Sequence, residues 1–312
     1  MTATLATGGR ILSPASRDAT AIAYEGGLVA WVGQDAPGPT LYPSARHIDL
    51  DGDWVAPAFV QCDVGAPGDH DPRVAAGTVR IELPVASGDA DPVNIADRVA
   101  AGERILYSGS DIAAFASALT AAANLHGGPA VARCTPTLVN ATDLRSATTE
   151  LLAELARVGT VILLDPLGSG VAGLDLVALA GSGLVLATTL TDSARTIRPW
   201  AALRVLTAVS EEERSRPERG LSPRAAFTAA TRGASRAAGV RDGTSGTLIP
   251  GTSATYARWR TGPLLVTAAD DAVQRWSTDP RSGVPPMPDL TGPEPECLGL
   301  TVDGVDTSNP VS

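Results

Sequence analysis

Apolar and polar positions divide the chain into a β-patterned beginning, an alternating middle and a β-patterned end. The runs 20–24 and 28–32 flank Glu25-Gly26-Gly27, which predicts a hairpin, because two glycines accept the positive φ values of a tight turn. Residues 47–50 predict another short strand before the turn Asp51-Gly52-Asp53. From residue 57 the pattern changes. Apolar runs at 57–63, 78–84, 104–108, 129–134, 160–165 and 184–190 predict strands. Between them, 110–125 and 140–158 carry apolar residues at helical spacing, the second with Asn140 or Thr142 as its cap. Residues 221–238 predict a helix: Ser222 can cap it, Pro223 suits its first position and Gly239 ends it. Short β segments follow at 246–249, 254–259 and 263–267. A Pro-rich arm or linker spans 277–296, and a last strand is expected at 298–305.

Strands alternating with helices predict parallel βαβ units. The stretch 57–245 is short beside the about 250 residues of a full (β/α)₈ barrel. The expected architecture is therefore α/β: a shortened or incomplete TIM-like (β/α) barrel over 57–245, with a small β-sandwich domain formed by both chain ends, 1–56 and 246–312.

Composition narrows the chemistry. All 24 basic residues are arginine. Without lysine there is no Schiff base, no pyridoxal-phosphate anchor and no Walker loop. The net charge is −10, and no dense run of arginine points to nucleic acid. The arginines at 214, 216 and 219 are interleaved with glutamates and read as a solvated surface. Three cysteines, Cys62, Cys134 and Cys297, match neither a zinc knuckle nor a disulfide framework; Cys62 and Cys134 read as inert core thiols. Neither a leader-like start nor a long apolar run is present, so the expectation is a cytoplasmic protein with no membrane partner.

Two motifs carry a resemblance. Val55-Ala56-Pro57-Ala58-Phe59-Val60-Gln61-Cys62-Asp63-Val64-Gly65 resembles the first barrel strand of the amidohydrolase superfamily, V-x-P-G-F-[VI]-D-x-H-x-H. Gly220 to Thr231, then Ala237 to Val240, then Gly246 to Gly251, resembles the superfamily's later pattern G-[LM]-S-x-x-E-A-[LF]-x-x-x-T…A-x-x-x-G…G-[ST]-[LI]-x-x-G-x-x-A-D, with Ala254-Thr255 in place of the final A-D. The resemblance implies a metal-dependent hydrolase fold and covers both ends of the chain. It also implies roles. Asp192, after the last barrel strand, matches the catalytic acid/base. Asp165, in Leu163-Leu164-Asp165-Pro166, matches an acidic metal ligand. Asp63 and Gly65 stand where the family has two histidines. No lysine is available to bridge two metals, and only His47, His70 and His126 exist.

Three functions remain open at this stage. With the histidines replaced, the first expectation is a protein that has lost metal-dependent hydrolysis and acts as a structural or regulatory partner. Its partner would be a second copy, making a homo-oligomer, or an active amidohydrolase relative; no cofactor is expected. The alternative is a surviving hydrolase of non-peptide carbon–nitrogen bonds. It would use one divalent metal ion held by Asp63, Asp165 and His70, with Asp192 as acid/base. Against this, the three aspartates could cap the helices that follow them or pair with Arg195 or Arg198, and His70 could be a solvated loop residue. His126, before Gly127-Gly128, reads as a helix C-terminal cation, and His47 as a strand or surface residue. The second alternative is a nucleotide-binding module at Gly168 to Gly173, a G-x-G-x-x-G after the strand at 160–165.

Overall fold

A computed structural model of the chain describes residues 2–64, 77–83, 91–139, 141–168, 171–207, 220–265 and 286–307. The fold is mixed α/β and divides into two compact units. One comprises Met1–Phe59, Asp71–Val79 and Thr244–Ser312, and the other Val60–His70 and Arg80–Gly243.

The chain begins with β1 (Thr4–Thr7), β2 (Arg10–Ile11), β3 (Ala21–Glu25), β4 (Leu28–Gly33), the short helix α1 (Gly38–Leu41), β5 (Arg46–Asp49) and β6 (Trp54–Pro57). The predicted hairpin is β3–β4. Gly26 and Gly27 have φ of 60° and 84°, and Glu25 pairs with Leu28 across the turn. A side chain at Gly27 would meet the Asp303 carbonyl oxygen at 2.9 Å.

The middle of the chain carries β7 (Phe59–Val64), β8 (Thr78–Leu83), α2 (Ile95–Ala101), β9 (Leu106–Tyr107), α3 (Ile112–His126), α4 (Gly128–Arg133), β10 (Thr137–Leu138), α5 (Thr149–Arg157), β11 (Val161–Leu164), α6 (Leu176–Gly181), β12 (Val185–Thr188), α7 (Pro199–Thr207), α8 (Pro223–Thr228) and α9 (Ala234–Ala237). The chain then forms β13 (Tyr256–Arg260), β14 (Leu264–Leu265), β15 (Met287–Pro288), β16 (Glu296–Val302) and β17 (Val305–Asp306).

In the first unit, the sheets β4-β3-β1-β5 and β17-β16-β13-β6-β2 supply side chains to one core, including Ile22, Val29 and Val32 from the former and Ile11, Val55 and Tyr256 from the latter. Asp53, 9% exposed, takes both Nε (3.0 Å) and Nη2 (2.6 Å) of Arg258 on one carboxylate oxygen.

In the second unit, β9, β10, β11 and β12 form a four-stranded parallel sheet in sequence order. Every residue of β11 is buried. Val161 and Leu163 pack with Val60, Cys62, Ala187, Ala234 and Ala237. By strand alternation Ile162 and Leu164 lie on the other face, so β11 is covered on both sides. Among the described residues the sheet stays open, and β7 and β8 form a separate pair.

Several expected boundaries moved, each for a local reason. The expected strand 129–134 is helix α4. Pro129 presets the first helical turn, and an Ala-rich apolar run is ambiguous by pattern alone. Helix α5 starts after Thr148, whose Oγ1 accepts from the Leu151 N–H at 3.3 Å; Thr142 lies in a 3₁₀ turn, and Asn140 lies outside the described residues. The predicted helix 221–238 begins as expected, with Ser222 Oγ accepting from Ala225 N at 3.2 Å, but is interrupted by a π turn over Ala229–Gly233. No strand forms at 246–249, where threonine hydroxyls bond the loop's own carbonyls, Thr247 to Thr244 and Thr252 to Thr247. Most of the Pro-rich arm lies outside the described residues.

Candidate functional site

In parallel α/β sheets the loops at the C-terminal strand ends carry the chemistry. Asp63 is the penultimate residue of β7, Asp165 follows β11, and Asp192 lies beyond β12. All three expected aspartates thus sit at the same end of their strands, and all are half-buried. His70 lies outside the described residues.

Gln61 organises this end, and the sequence pattern had not singled it out. It is 1% exposed. Its Oε1 accepts from the Leu190 N–H at 2.6 Å, tying β7 to the exit of β12. Its Nε2 donates to Cys62 O and to Asp63 Oδ1, both at 3.1 Å. The available signal was an amide on an otherwise buried strand: a buried amide must be satisfied, so it marks a polar junction.

Asp165 Oδ1 accepts from Thr189 Oγ1 at 2.9 Å. Asp192 shapes its own loop: Oδ1 accepts the N–H groups of Ala194 and Thr196, each at 2.9 Å, and Thr191 bridges to Ile197. Among the described residues, Oδ2 of Asp192 has no hydrogen-bond partner. For Asp165 and Asp192 the described contacts are loop contacts rather than helix caps or pairs with Arg195 or Arg198, and Asp63 meets the Gln61 amide.

The described residues contain no group of three His, Cys, Asp or Glu side chains placed to hold one metal ion. Asp63, Asp165 and Asp192 each commit Oδ1 to a hydrogen bond within the protein. His47 lies on β5 and His126 ends α3. The third expected ligand, His70, lies outside the described residues.

The nucleotide reading is corrected. Gly168 lies in a turn directly after Asp165, and Ser169 and Gly170 are outside the described residues. A side chain at Gly168 would overlap Asp165 Oδ2, so this glycine makes room for the carboxylate. Helix α6 starts only at Leu176, and Asp175 Oδ1 caps it through the Ala178 N–H at 2.9 Å, placing a negative charge where a phosphate would sit. The order β9-β10-β11-β12 also has no reversal, whereas dinucleotides bind where strand order reverses.

Cys62 and Cys134 are core residues of their surroundings. Cys62 Sγ donates to Ala234 O at 3.2 Å, and burial pushes its thiol up to about 12. Arg104 pulls the value down less, and Asp63 raises it slightly. Burial also raises Cys134, whose Sγ donates to Ala130 O at 3.4 Å. An unfolded thiol ionises near pH ~8.5 while native Cys62 stays neutral, so this group's contribution to stability is lost as pH rises from there towards 12. A thiol-specific chromogenic reagent at pH 8 is expected to titrate Cys62 and Cys134 only after unfolding, whereas Cys297, half-buried and with its own thiol raised by burial, should react in the native state ahead of them. Two fast native thiols would contradict this packing.

No family profile matches the sequence, and no curated protein matches it. Solved structures do. A triazine hydrolase from Arthobacter aurescens is similar over 100% of this chain and 96% of its own, with TM-score 0.62 and 15% identity. An atrazine chlorohydrolase from Arthrobacter aurescens, complexed with zinc, is similar over 97% and 94%, with TM-score 0.60 and 15% identity. An N-isopropylammelide isopropylaminohydrolase from Burkholderia multivorans is similar over 98% of both chains, with TM-score 0.57 and 13% identity. The chain has the amidohydrolase fold. In that fold the strand ends bearing Asp63, Asp165 and Asp192 are the ends at which to look for chemistry. No helix among the described residues is long and apolar enough to cross a membrane.

Proposed function

We propose that the chain hydrolyses non-peptide carbon–nitrogen bonds, with Asp192 as acid/base. The arrangement of Asp192 carries the reading. Two N–H groups hold Oδ1, and Oδ2 takes no hydrogen bond from a described residue. A carboxylate so held can take a proton from water as the water oxygen attacks the carbon. It can then return that proton to the leaving nitrogen as the carbon–nitrogen bond breaks. The amidohydrolase fold shared along the chain, with solved neighbours named as hydrolases, supports the reaction class. The same reading takes β7 to β12 as part of a (β/α) barrel and the two sheets of the other unit as a small sandwich. The sequential parallel order of β9 to β12 supports the first, and the shared core of the two sheets supports the second. No step is assigned to a metal.

The test is a screen of cyclic amides, ureas and aminotriazines, with and without added divalent metal, comparing the natural chain with Asp192→Asn. Asparagine keeps an Oδ1 for the two N–H groups, so the loop should persist. Turnover is expected to fall about 100-fold or more, with circular dichroism unchanged. Equal turnover by the variant would remove Asp192 from the reaction, and no turnover of any substrate by the natural chain would remove the hydrolase reading.

A second reading, a non-hydrolytic binding partner on the same fold, rests on the sequence alone, where Asp63 and Gly65 stand at the family's two histidine positions. A second copy or an active relative would be its partner. The silent screen, joined with a stable oligomer in light scattering, would support it.

A further inference from the structure

We propose that Arg104 and Arg241, with Arg133 and Arg236 nearby, form a binding site for a small oxyanion dianion, inorganic phosphate or the phosphoryl group of a metabolite. The site lies at the opposite end of the parallel sheet from the aspartates. Arg104 stands two residues before β9, and Thr135 two residues before β10, so both mark N-terminal strand ends. Arg236 is on α9 and Arg241 lies just beyond it.

Two arginines bridge α9 and the strand starts there. Arg104 reaches from the start of β9 to the end of α9, where its Nη2 donates to Ala237 O. Its Nη1 would be 3.2 Å from a side chain at Gly239. Arg241 reaches back from beyond α9, and its Nη2 donates to Thr135 Oγ1 at 3.3 Å. The Ile105 N–H bonds Cys134 O at 3.0 Å, which holds these two strand starts side by side.

The arginines are under-used by the protein. Among the described residues none of the four makes an ion pair, although the chain has net charge −10. The Nε atoms of Arg104 and Arg241 are buried and have no hydrogen-bond acceptor. Buried N–H groups of a guanidinium are normally satisfied, and orphans at one spot point to an acceptor supplied from outside. The C-terminal carbonyl of α9 accounts for one N–H of Arg104 and offsets only part of the charge.

A second, independent observation is Thr135. It is 3% exposed and its φ is 45°, a left-handed conformation that a β-branched residue rarely adopts. Such strain persists where the surroundings impose it, often at binding sites. Here it places the hydroxyl on Arg241. Burial lowers the guanidinium pKa values of both Arg104 and Arg241. The neighbouring Arg241 lowers Arg104 further, and Arg236 and Arg133 lower Arg241. A bound anion would relieve both effects. Glu103 lies close enough to raise the Cys134 thiol, so one negative group borders the site. Several guanidinium forks beside one carboxylate suit a tetrahedral dianion better than a monocarboxylate.

The experiment is isothermal titration of the intact chain with inorganic phosphate, phenyl phosphate and acetate at fixed ionic strength. Saturable phosphate binding is expected, and Arg241→Gln should weaken it about tenfold or more. Arg133→Gln changes an exposed residue, so it should fold normally and weaken binding several-fold. Arg232→Gln, whose guanidinium donates to Gly243 O, should leave binding unchanged. Tighter binding of phenyl phosphate assigns the site to a phosphorylated metabolite, and equal or weaker binding assigns it to free phosphate. No saturable binding up to about 10 mM, acetate binding as tight as phosphate, or affinities unchanged in both Arg241→Gln and Arg133→Gln would overturn the site.

Discussion

Replacing Gly233 by alanine is expected to destabilise the chain by about 3 kcal/mol or more. The reason is a backbone contact. A methyl group at Gly233 would overlap the Leu186 carbonyl oxygen, and it would lie 2.9 Å from the carbonyl carbon and 3.3 Å from Ala187 Cα. No side chain can rotate away to make room. Gly233 closes the π turn between α8 and α9, and Leu186 is in the middle of β12. The helix must therefore move off the strand, taking with it Ala234 and Ala237, both 0% exposed. The alternative response, converting the π turn to regular helix, would rotate the buried Thr231 and the residues beyond it. Urea unfolding followed by circular dichroism measures the change. A loss below about 1 kcal/mol would show that helix and strand do not meet this closely. Gly102 provides the contrast: a side chain there meets nothing within 4 Å, so the cost of its replacement comes from its φ of 70° alone.

Gln61→Leu should cost about 2–4 kcal/mol. Leucine fills similar space but leaves the Leu190 N–H and the Cys62 carbonyl without their partner, and it frees Asp63 from its amide. The site is 1% exposed, so water cannot easily take over. Gln61→Glu separates the polar from the steric effect. Glutamate can still accept from Leu190, but it brings a second carboxylate beside Asp63. Burial and the like charge would raise the new carboxyl's folded pKa above its unfolded value. Its neutral form is the one the fold tolerates, so the variant should be least impaired below the unfolded pKa and lose stability as pH rises through the folded one. Urea midpoints at acid and neutral pH measure this; equal deficits at both would show that Gln61 does not face Asp63. Loss of the Gln61–Leu190 link should also loosen the loop that presents Asp192. Fold and proposed chemistry therefore meet at this residue, and hydrogen exchange of the Leu190 amide would report it directly.

Much of the fold was written locally. The β3–β4 hairpin follows from two adjacent glycines, and α8 begins at Ser222-Pro223 because a hydroxyl cap and a preset φ favour that start. β11 and β12 fall within their expected runs, since β-branched and leucine-rich segments have a strong pattern, and β11 is buried throughout. The strand expected at 129–134 was illegible for the opposite reason: an apolar run of six residues fits either state, and Gly128-Pro129 decided it for helix. The π turn was equally hidden. It answers to a carbonyl of β12, more than forty residues away in sequence.

The candidate site divides along the same line. The sequence by itself determined which aspartates follow which strands, and for Asp165 and Asp192 the parallel pairing of β11 with β12 puts both strand ends on one side. It determined too that no lysine could bridge two metals. Only the tertiary structure decided what those carboxylates do: Asp192 folds its own loop, Asp165 sits over Gly168, and Asp63 meets an amide. It alone revealed the arginines, which are spread from Arg104 to Arg241 and form no basic run. Charge patterning along a chain registers neighbours in sequence, whereas an anion responds to neighbours in space, and packing α9 against the strand starts brings these together.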